Sequence, residues 1–209
     1  MNILEIGIEK ECFLLRDNEI LEPIKYGFPK DEFEFLVELR SLPADRFYPV
    51  YTTLMAEEIQ NSLRANKFNM ELSNQPSKLV TQEWVDNHWI KHNLHRFDDE
   101  DHTENIYGKP THSHHLGVLP VSTTDCKLTA GIHVHFSSRN SKTGEVIKLP
   151  IEKIVKEMDT SFSEDIQIEG RNMGEWEPKP HGFEYRSLPA NSDLYWVIKE
   201  AFRILRKYG

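Results

Sequence analysis

The chain has 209 residues, 38% of them hydrophobic, which is enough for one buried core in a single domain spanning 1–209. Twenty-five basic against 34 acidic residues give a net charge of −9 with no long basic run, so nucleic acid held through its phosphates is not expected as a primary partner. No apolar run approaches membrane-span length, residues 1–5 read as a strand rather than a signal peptide, and the two cysteines, Cys12 and Cys126, make no disulfide framework; the expectation is a reduced, cytoplasmic protein with no membrane partner.

Taken in chain order, residues 2–15 predict a strand, followed by a hairpin or loop at Asp17-Asn18. A second strand is expected over 32–42. Residues 48–67 show helical spacing, with Tyr51, Leu54, Met55, Ile59 and Leu63 as the apolar stripe. A helix is expected over 81–97, then an exposed acidic loop at 98–104. A strand over 127–138 precedes a turn at 140–144 and a short strand to residue 149. Pro150 opens a helix reaching residue 162. Residues 169–181, rich in Gly, Pro and charge, read as a loop suited to cover a site. A strand at 182–188 and a helix at 193–207 close the chain, the latter with Leu194, Val197, Ile198, Ala201, Ile204 and Leu205 on one side. Strands and helices do not alternate in short βαβ units. The expected class is therefore α+β: a cupped, mainly antiparallel sheet with helices on its apolar face and its polar face open.

Nine of the ten histidines lie between His88 and His135. His88 and His92 stand one helical turn apart, but no Glu follows His88 as a His-Glu-x-x-His zinc motif requires, so a helix face is preferred. His112, His114 and His115 fall in a Gly/Pro-punctuated loop.

Four segments place polar side chains two residues apart: Glu9/Glu11, Glu38/Arg40, His133/His135 and Glu184/Arg186. In a strand such pairs share one face. The intervening residues, among them Ile8, Val37, Leu39, Ile132, Val134 and Tyr185, are mostly apolar. If the four strands join one sheet, four Glu, two Arg and two His meet on one surface. That surface is costly unless a cation or charged ligand completes it. Carboxylates with one imidazole suit Mg²⁺ or Mn²⁺, and Arg40 and Arg186 suit phosphate through their planar forks. The combination suggests phosphoryl transfer. No P-loop, Gly-x-Gly-x-x-Gly cradle or Ser-His-Asp pattern competes with it. Residues 37–45 and 183–191 also match in six of nine positions as strand-turn-helix entries, read either as a recurrent strand-exit device or, preferably, as two strands bringing the same chemistry to one site, with Asp45 or Asn191 placed to cap the helix that follows.

These motifs, in this order, resemble those of the carboxylate–amine ligases related to glutamine synthetase and glutamate–cysteine ligase. The closest resemblance is to small phage-type amidoligases, which carry a Gly-Arg-rich segment before Lys-Pro-x-Gly-x-Glu-Tyr-Arg-x-Leu; residues 170–188 are similar to it. The resemblance covers residues 5–45 and 127–190. It implies a glutamine synthetase-like domain with Glu9, Glu11, Glu38, His133 and Glu184 as ligands of one to three Mg²⁺ or Mn²⁺ ions. It implies that His135 faces nucleotide or substrate and that Arg186 stabilises the transferred phosphoryl group, assisted by Arg171 and Lys179. The implied reaction is ATP-dependent activation of a small-molecule or peptide carboxylate, followed by attack of an amine. The rivals are an ATP-dependent phosphotransferase on the same fold and a non-catalytic ligase fold serving as a binding module.

Overall fold

The computed structural model describes residues 4–30, 35–92, 118–169 and 171–209. In chain order the elements are β1 (Ile6–Arg16), β2 (Glu19–Ile20), β3 (Leu36–Arg40), α1 (Phe47–Lys67), β4 (Glu71–Ser73), β5 (Ser77–Thr81), α2 (Gln82–His92), β6 (Val118–Pro120), β7 (Asp125–Thr129), β8 (Gly131–Ser137), α3 (Ile151–Ser161), α4 (Ser163–Ile168), β9 (Trp176–Lys179), β10 (Gly182–Pro189) and α5 (Leu194–Tyr208). The class is α+β. A seven-stranded antiparallel sheet runs β2-β1-β8-β10-β9, with β3 and β4 also pairing with β1; a second sheet runs β5-β7-β6.

One parity of the large sheet faces the helices. Ile6, Ile8, Cys12 and Leu14 of β1, Val37 and Leu39 of β3, Ile132, Val134 and Phe136 of β8, and Phe183, Tyr185 and Leu188 of β10 are buried in one cluster with residues of α1, α3 and α5. Tyr185 reaches through this layer and donates a 2.7 Å hydrogen bond to Asp159 of α3. The other parity changes character along β1. Phe13 and Leu15 join Leu36, Val85, Cys126 and Leu128 in a second core under the small sheet. Only the stretch around Glu9 and Glu11 remains polar. The cup is thus roofed at one end rather than open throughout.

Several local expectations are corrected. The strand over 127–138 is two strands, broken at Ala130 and divided between the sheets; the Ala130 amide donates to Pro76 O and its carbonyl accepts from Ala190 N. Part of the 169–181 loop is β9, hairpinned to β10. Gly182 at that turn is obligatory, since a Cβ there would lie 2.0 Å from Phe136 O. The strand expected before residue 149 is a single bridge, Arg139 to Val146. Residues 163–168 form α4, which the sequence did not suggest. Pro150 is the N-cap of α3 rather than its first residue. Helix α1 begins after Arg46 with no side-chain cap, and Asp193 caps α5 by accepting from Trp196 N at 3.0 Å. Asn191 instead donates to Glu169. The Asp17-Asn18 turn links β1 to β2, both residues with positive φ as a tight hairpin needs. His88 packs on Phe35 and Trp84 and bonds the Trp84 carbonyl. His95, His112, His114, His115 and the 98–104 loop lie outside the described residues, as does the side chain of His92.

Helix α1 turns only the first part of the expected stripe inward: Leu54 is buried and Tyr51 packs against the core. Val50, Leu54, Asn61 and Ala65 are buried, while Ile59 and Leu63 are exposed. At about 100° per residue Leu63 lies roughly opposite Leu54. The inward face carries Glu58, whose Oε1 is 3.0 Å from the buried Lys10 Nζ of β1. Neither Cys12 nor Cys126 is in a disulfide, and burial pushes the Cys12 thiol up to about 12. Among the described residues no helix is long and apolar enough to cross a membrane.

The Lys10–Glu58 pair ties α1 to the central strand. Glu58→Gln leaves the Lys10 ammonium buried without its counter-charge and should cost about 2 kcal/mol. Urea unfolding should show a lower midpoint with an unchanged slope. Lys10→Met in the same chain should recover most of the loss.

Candidate metal centre

Strand register assembles the site. Glu9 stands between Arg40 on β3 and His133 on β8, and Glu11 stands opposite Glu38. His135 lies opposite Gly7 on one side and Glu184 on the other. These residues therefore share the polar parity of the sheet. Strand β9 adds Glu177 opposite Glu184, and Lys179 opposite Gly182. A bulge between Tyr185 and Leu188 follows Arg186. It flips the parity of β10, so that Leu188 joins the core while Arg186 stays with the acids.

His133 is the hub. Its Nδ1 lies 2.8 Å from Glu184 Oε1 and 4.0 Å from Glu9 Oε2, and its Nε2 is 3.7 Å from Glu11 Oε1. One donor atom each from Glu9, His133 and Glu184 falls within 4.8 Å of the others. Glu11 Oε2 accepts a 2.6 Å hydrogen bond from the Gly131 amide, the first residue of β8. Glu38 accepts from Arg40 Nε, which also lies 3.3 Å from Glu9 Oε1. Glu184 Oε2 takes Lys179 Nζ at 2.7 Å. Glu177 Oε2 takes both Lys179 Nζ at 3.1 Å and Arg186 Nη1 at 2.8 Å. Five carboxylates thus meet three permanent cations, and His133 supplies a fourth positive charge when protonated. Glu11, Glu38, His133 and Glu184 are all buried.

Burial by itself would raise the Glu184 carboxyl, but the His133 hydrogen bond, the charges of His133 and Arg186, and Lys179 outweigh it and hold Glu184 well below the usual carboxylate range. Burial likewise works against a charged His133, and Arg186 adds to that; Glu11 and Glu184 prevail and raise it above its ordinary value. Glu9 is lowered, because the hydrogen bond and charge of His135 exceed the effect of burial.

Arg171 stands apart from this cluster. Its guanidinium donates to three main-chain carbonyls: Ser187 at 3.1 Å, Ala130 at 3.3 Å and Arg186 at 2.9 Å. It fastens the bulge to the break between β7 and β8. Gly131 makes room for it, since a Cβ there would lie 2.9 Å from Arg171 Nη2. Lys179 and Arg186 are within the cluster, and Arg40 lies at its rim with a largely exposed side chain.

Beside Glu9 a cavity of about 320 Å³ opens, lined by Glu5, Gly7, Glu9, Arg40, His135 and His181 among others. Gly7 forms part of its wall. A Cβ there would meet only ordinary contacts at 3.7 and 3.8 Å, so the glycine is not forced by packing. His181 sits 3.3 Å from His135 through ring nitrogens, and His135 Nε2 lies 3.1 Å from Glu9 Oε2. The sequence reading missed Glu177 and His181. Glu177-x-Lys179 carries the same two-residue spacing as the other four segments, which is the signal that could have revealed it; His181 had none.

No family model matches the chain, and neither a curated protein nor a solved structure matches it.

In chelator, the two central groups should shape stability in opposite directions. Glu184, depressed below its ordinary 4.5, contributes fully above pH 4.5 and loses that contribution as pH falls through its folded value. His133, raised above 6.5, contributes fully below pH 6.5 and loses it as pH rises through its folded value. Urea midpoints of Glu184→Gln should therefore fall less steeply than wild type between about pH 5 and pH 3, and those of His133→Gln should lose the decline above about pH 6.5.

Proposed function

We propose that the cup binds Mg²⁺ or Mn²⁺ and that the protein is an ATP-dependent carboxylate–amine ligase of glutamine synthetase-like architecture, acting in the cytoplasm. The observation that carries the reading is the convergence of Glu9, His133 and Glu184 donor atoms within 4.8 Å, beside the cations Arg186 and Lys179. Two carboxylates and one imidazole fit Mn²⁺ well and Mg²⁺ acceptably. Ligands at about 2.0–2.2 Å from an ion are spaced by up to about 4.4 Å, so only a small contraction is required. Glu11 and Glu38, directly opposed, are the acids for a further ion.

When bound, the ions would neutralise charge on the phosphates. The chain's own groups divide the remaining work. Arg186, held by Glu177 and 3.7 Å from Glu184, is fixed where a phosphoryl group beside the ion could meet its fork. Arg40, largely exposed at the rim, suits an incoming anionic group. His135 and the cavity beside it receive part of the nucleotide; about 320 Å³ is small for a whole ligand but ample for a base or sugar. In the reaction, a carboxylate oxygen of the acid substrate attacks the γ-phosphorus of ATP and ADP leaves. The amine nitrogen then attacks the acyl carbon, the C–O bond breaks, phosphate departs with that oxygen, and the nitrogen gives up a proton. The ordered resemblance of residues 5–45 and 127–190 to the amidoligases supports the ligase form over other phosphoryl transfers.

The test is isotopic. With Mn²⁺, ATP, a panel of ¹⁸O-carboxylate amino acids and peptides, and ammonium or amino-acid amines, one label should pass into released phosphate when an amide forms. ADP formed with all label kept in a phosphorylated organic product would make the protein a phosphotransferase instead.

Arg186→Lys keeps the charge but loses the bidentate fork, and turnover should fall about 10²-fold. Urea unfolding should change little. Equal turnover in the two proteins would leave Arg186 as a structural ion-pair partner alone.

A further inference from the structure

Lys179 lies against one of the three groups of the candidate metal centre. Its ammonium lies 2.7 Å from Glu184 Oε2, the carboxylate whose other oxygen binds His133. That contact neutralises one of the three groups offering a ligand atom to the cation. The same ammonium is 3.1 Å from Glu177 Oε2, so a second resting place already touches it. Glu177 lies toward the outer edge of the sheet, on β9, and that strand carries Lys179 itself. Withdrawal from Glu184 therefore needs a rotamer change and no backbone movement.

We infer that Lys179 is a resident counter-cation of the metal-free cup, displaced from Glu184 by the divalent ion and delivered, still tethered to Glu177, to the side where phosphate would lie. The inference rests on the metal-binding reading above and adds an order of events to it. With the ammonium on Oε2 of Glu184, a divalent ion taken by the same carboxylate would lie a few ångströms from it, and the two charges repel. The ion weakens the lysine's hold on Glu184, and its arrival leaves the Lys179 ammonium shared with Glu177 alone, with donors free for an anion beside the site. Ion binding should thereby strengthen anion binding through a residue that binds no ion. Before an ion arrives, Lys179 serves two of the five carboxylates, Glu184 and Glu177.

The experiment compares the full chain with Lys179→Met by calorimetric titration of Mn²⁺ and by thermal unfolding in chelator. The variant should bind Mn²⁺ about tenfold tighter, the factor expected for relief of one competing contact, and should melt lower than wild type without metal. Equal or weaker Mn²⁺ binding by the variant, with wild type binding normally, overturns the inference and leaves the metal reading intact. If neither protein binds Mn²⁺, the metal reading fails and the inference with it. A second measurement does not depend on the variant's stability. The side-chain ε-CH₂ signal of Lys179 in wild type should move on saturation with diamagnetic Mg²⁺ and move again on adding pyrophosphate. A signal that stays in place through both additions shows that Lys179 remains on Glu184 and overturns the inference.

Discussion

Everything in this molecule answers to the crowding of carboxylates on one face of the large sheet. Glu11 and Glu38 stand directly opposite each other across β1 and β3, an arrangement that destabilises a sheet by up to about 1 kcal/mol when nothing intervenes. Glu184 and Glu177 repeat it across β10 and β9. Glu38 and Glu177 each find a cation on their own strand, Arg40 and Lys179, but the other acids depend on neighbouring strands. Glu11 draws on the Gly131 amide of β8, Glu9 on Arg40 of β3 and His135 of β8, Glu184 on His133 of β8 and Lys179 of β9. Each ionic contact across strands therefore also fixes register, because a one-residue slip would turn the acids into the helix-packed core. The buried Lys10–Glu58 pair does the same for α1 on the opposite side.

The repeated segment acquires a structural meaning. In the order β3-β1-β8-β10, the two central strands carry Glu-x-Glu and His-x-His, and the two flanking strands carry Glu-x-Arg. Each flanking strand leads into a long helix, and α1 and α5 pack together. Exchanging β1 with β8 and β3 with β10 reproduces the scheme as an approximate two-fold relation. The halves have diverged where it matters for charge. Arg40 is largely exposed, whereas Arg186 is shielded by the β9–β10 hairpin and held by Glu177. The bulge after Arg186 has no counterpart in the regular β1–β3 register.

How much of this could be read in advance depended on whether local pattern and tertiary demand agreed. Helix α5 was legible because Val197, Ile198, Ala201, Ile204 and Leu205 all point inward. The polar parity was legible because it requires only a period of two. Helix α1 was misread because Ile59 and Leu63 mimic a stripe, while Asn61 and Glu58 occupy the inward face through hydrogen bonding and an ion pair. The break at Ala130 was invisible: Leu128, Ala130, Ile132 and Val134 alternate without interruption, and only the division of the core into two clusters parts them. Strand β9 was hidden by Pro178, which an edge strand tolerates because its N–H side need not pair. Glu177 was lost with it.

The register of β1 against β8 joins residues 6–10 to residues 132–136, and Glu184 completes the cluster from still further along. The pairing is strongly non-local, so its loop-closure entropy must be met before any ionic contact repays it. On a ribosome the N-terminal half can pair β1 with β3, but it then holds Glu9, Glu11 and Glu38 with Arg40 as the arginine among their partners. The acids of β1 meet further partners, His133, His135 and the Gly131 amide, only after β8 has emerged, and Glu184 with Arg186 joins them later still from β10. Assembly of the cup is therefore a late event in synthesis. A cation that engages Glu9 and Glu11 early would act as a folding cofactor before it could act in any reaction.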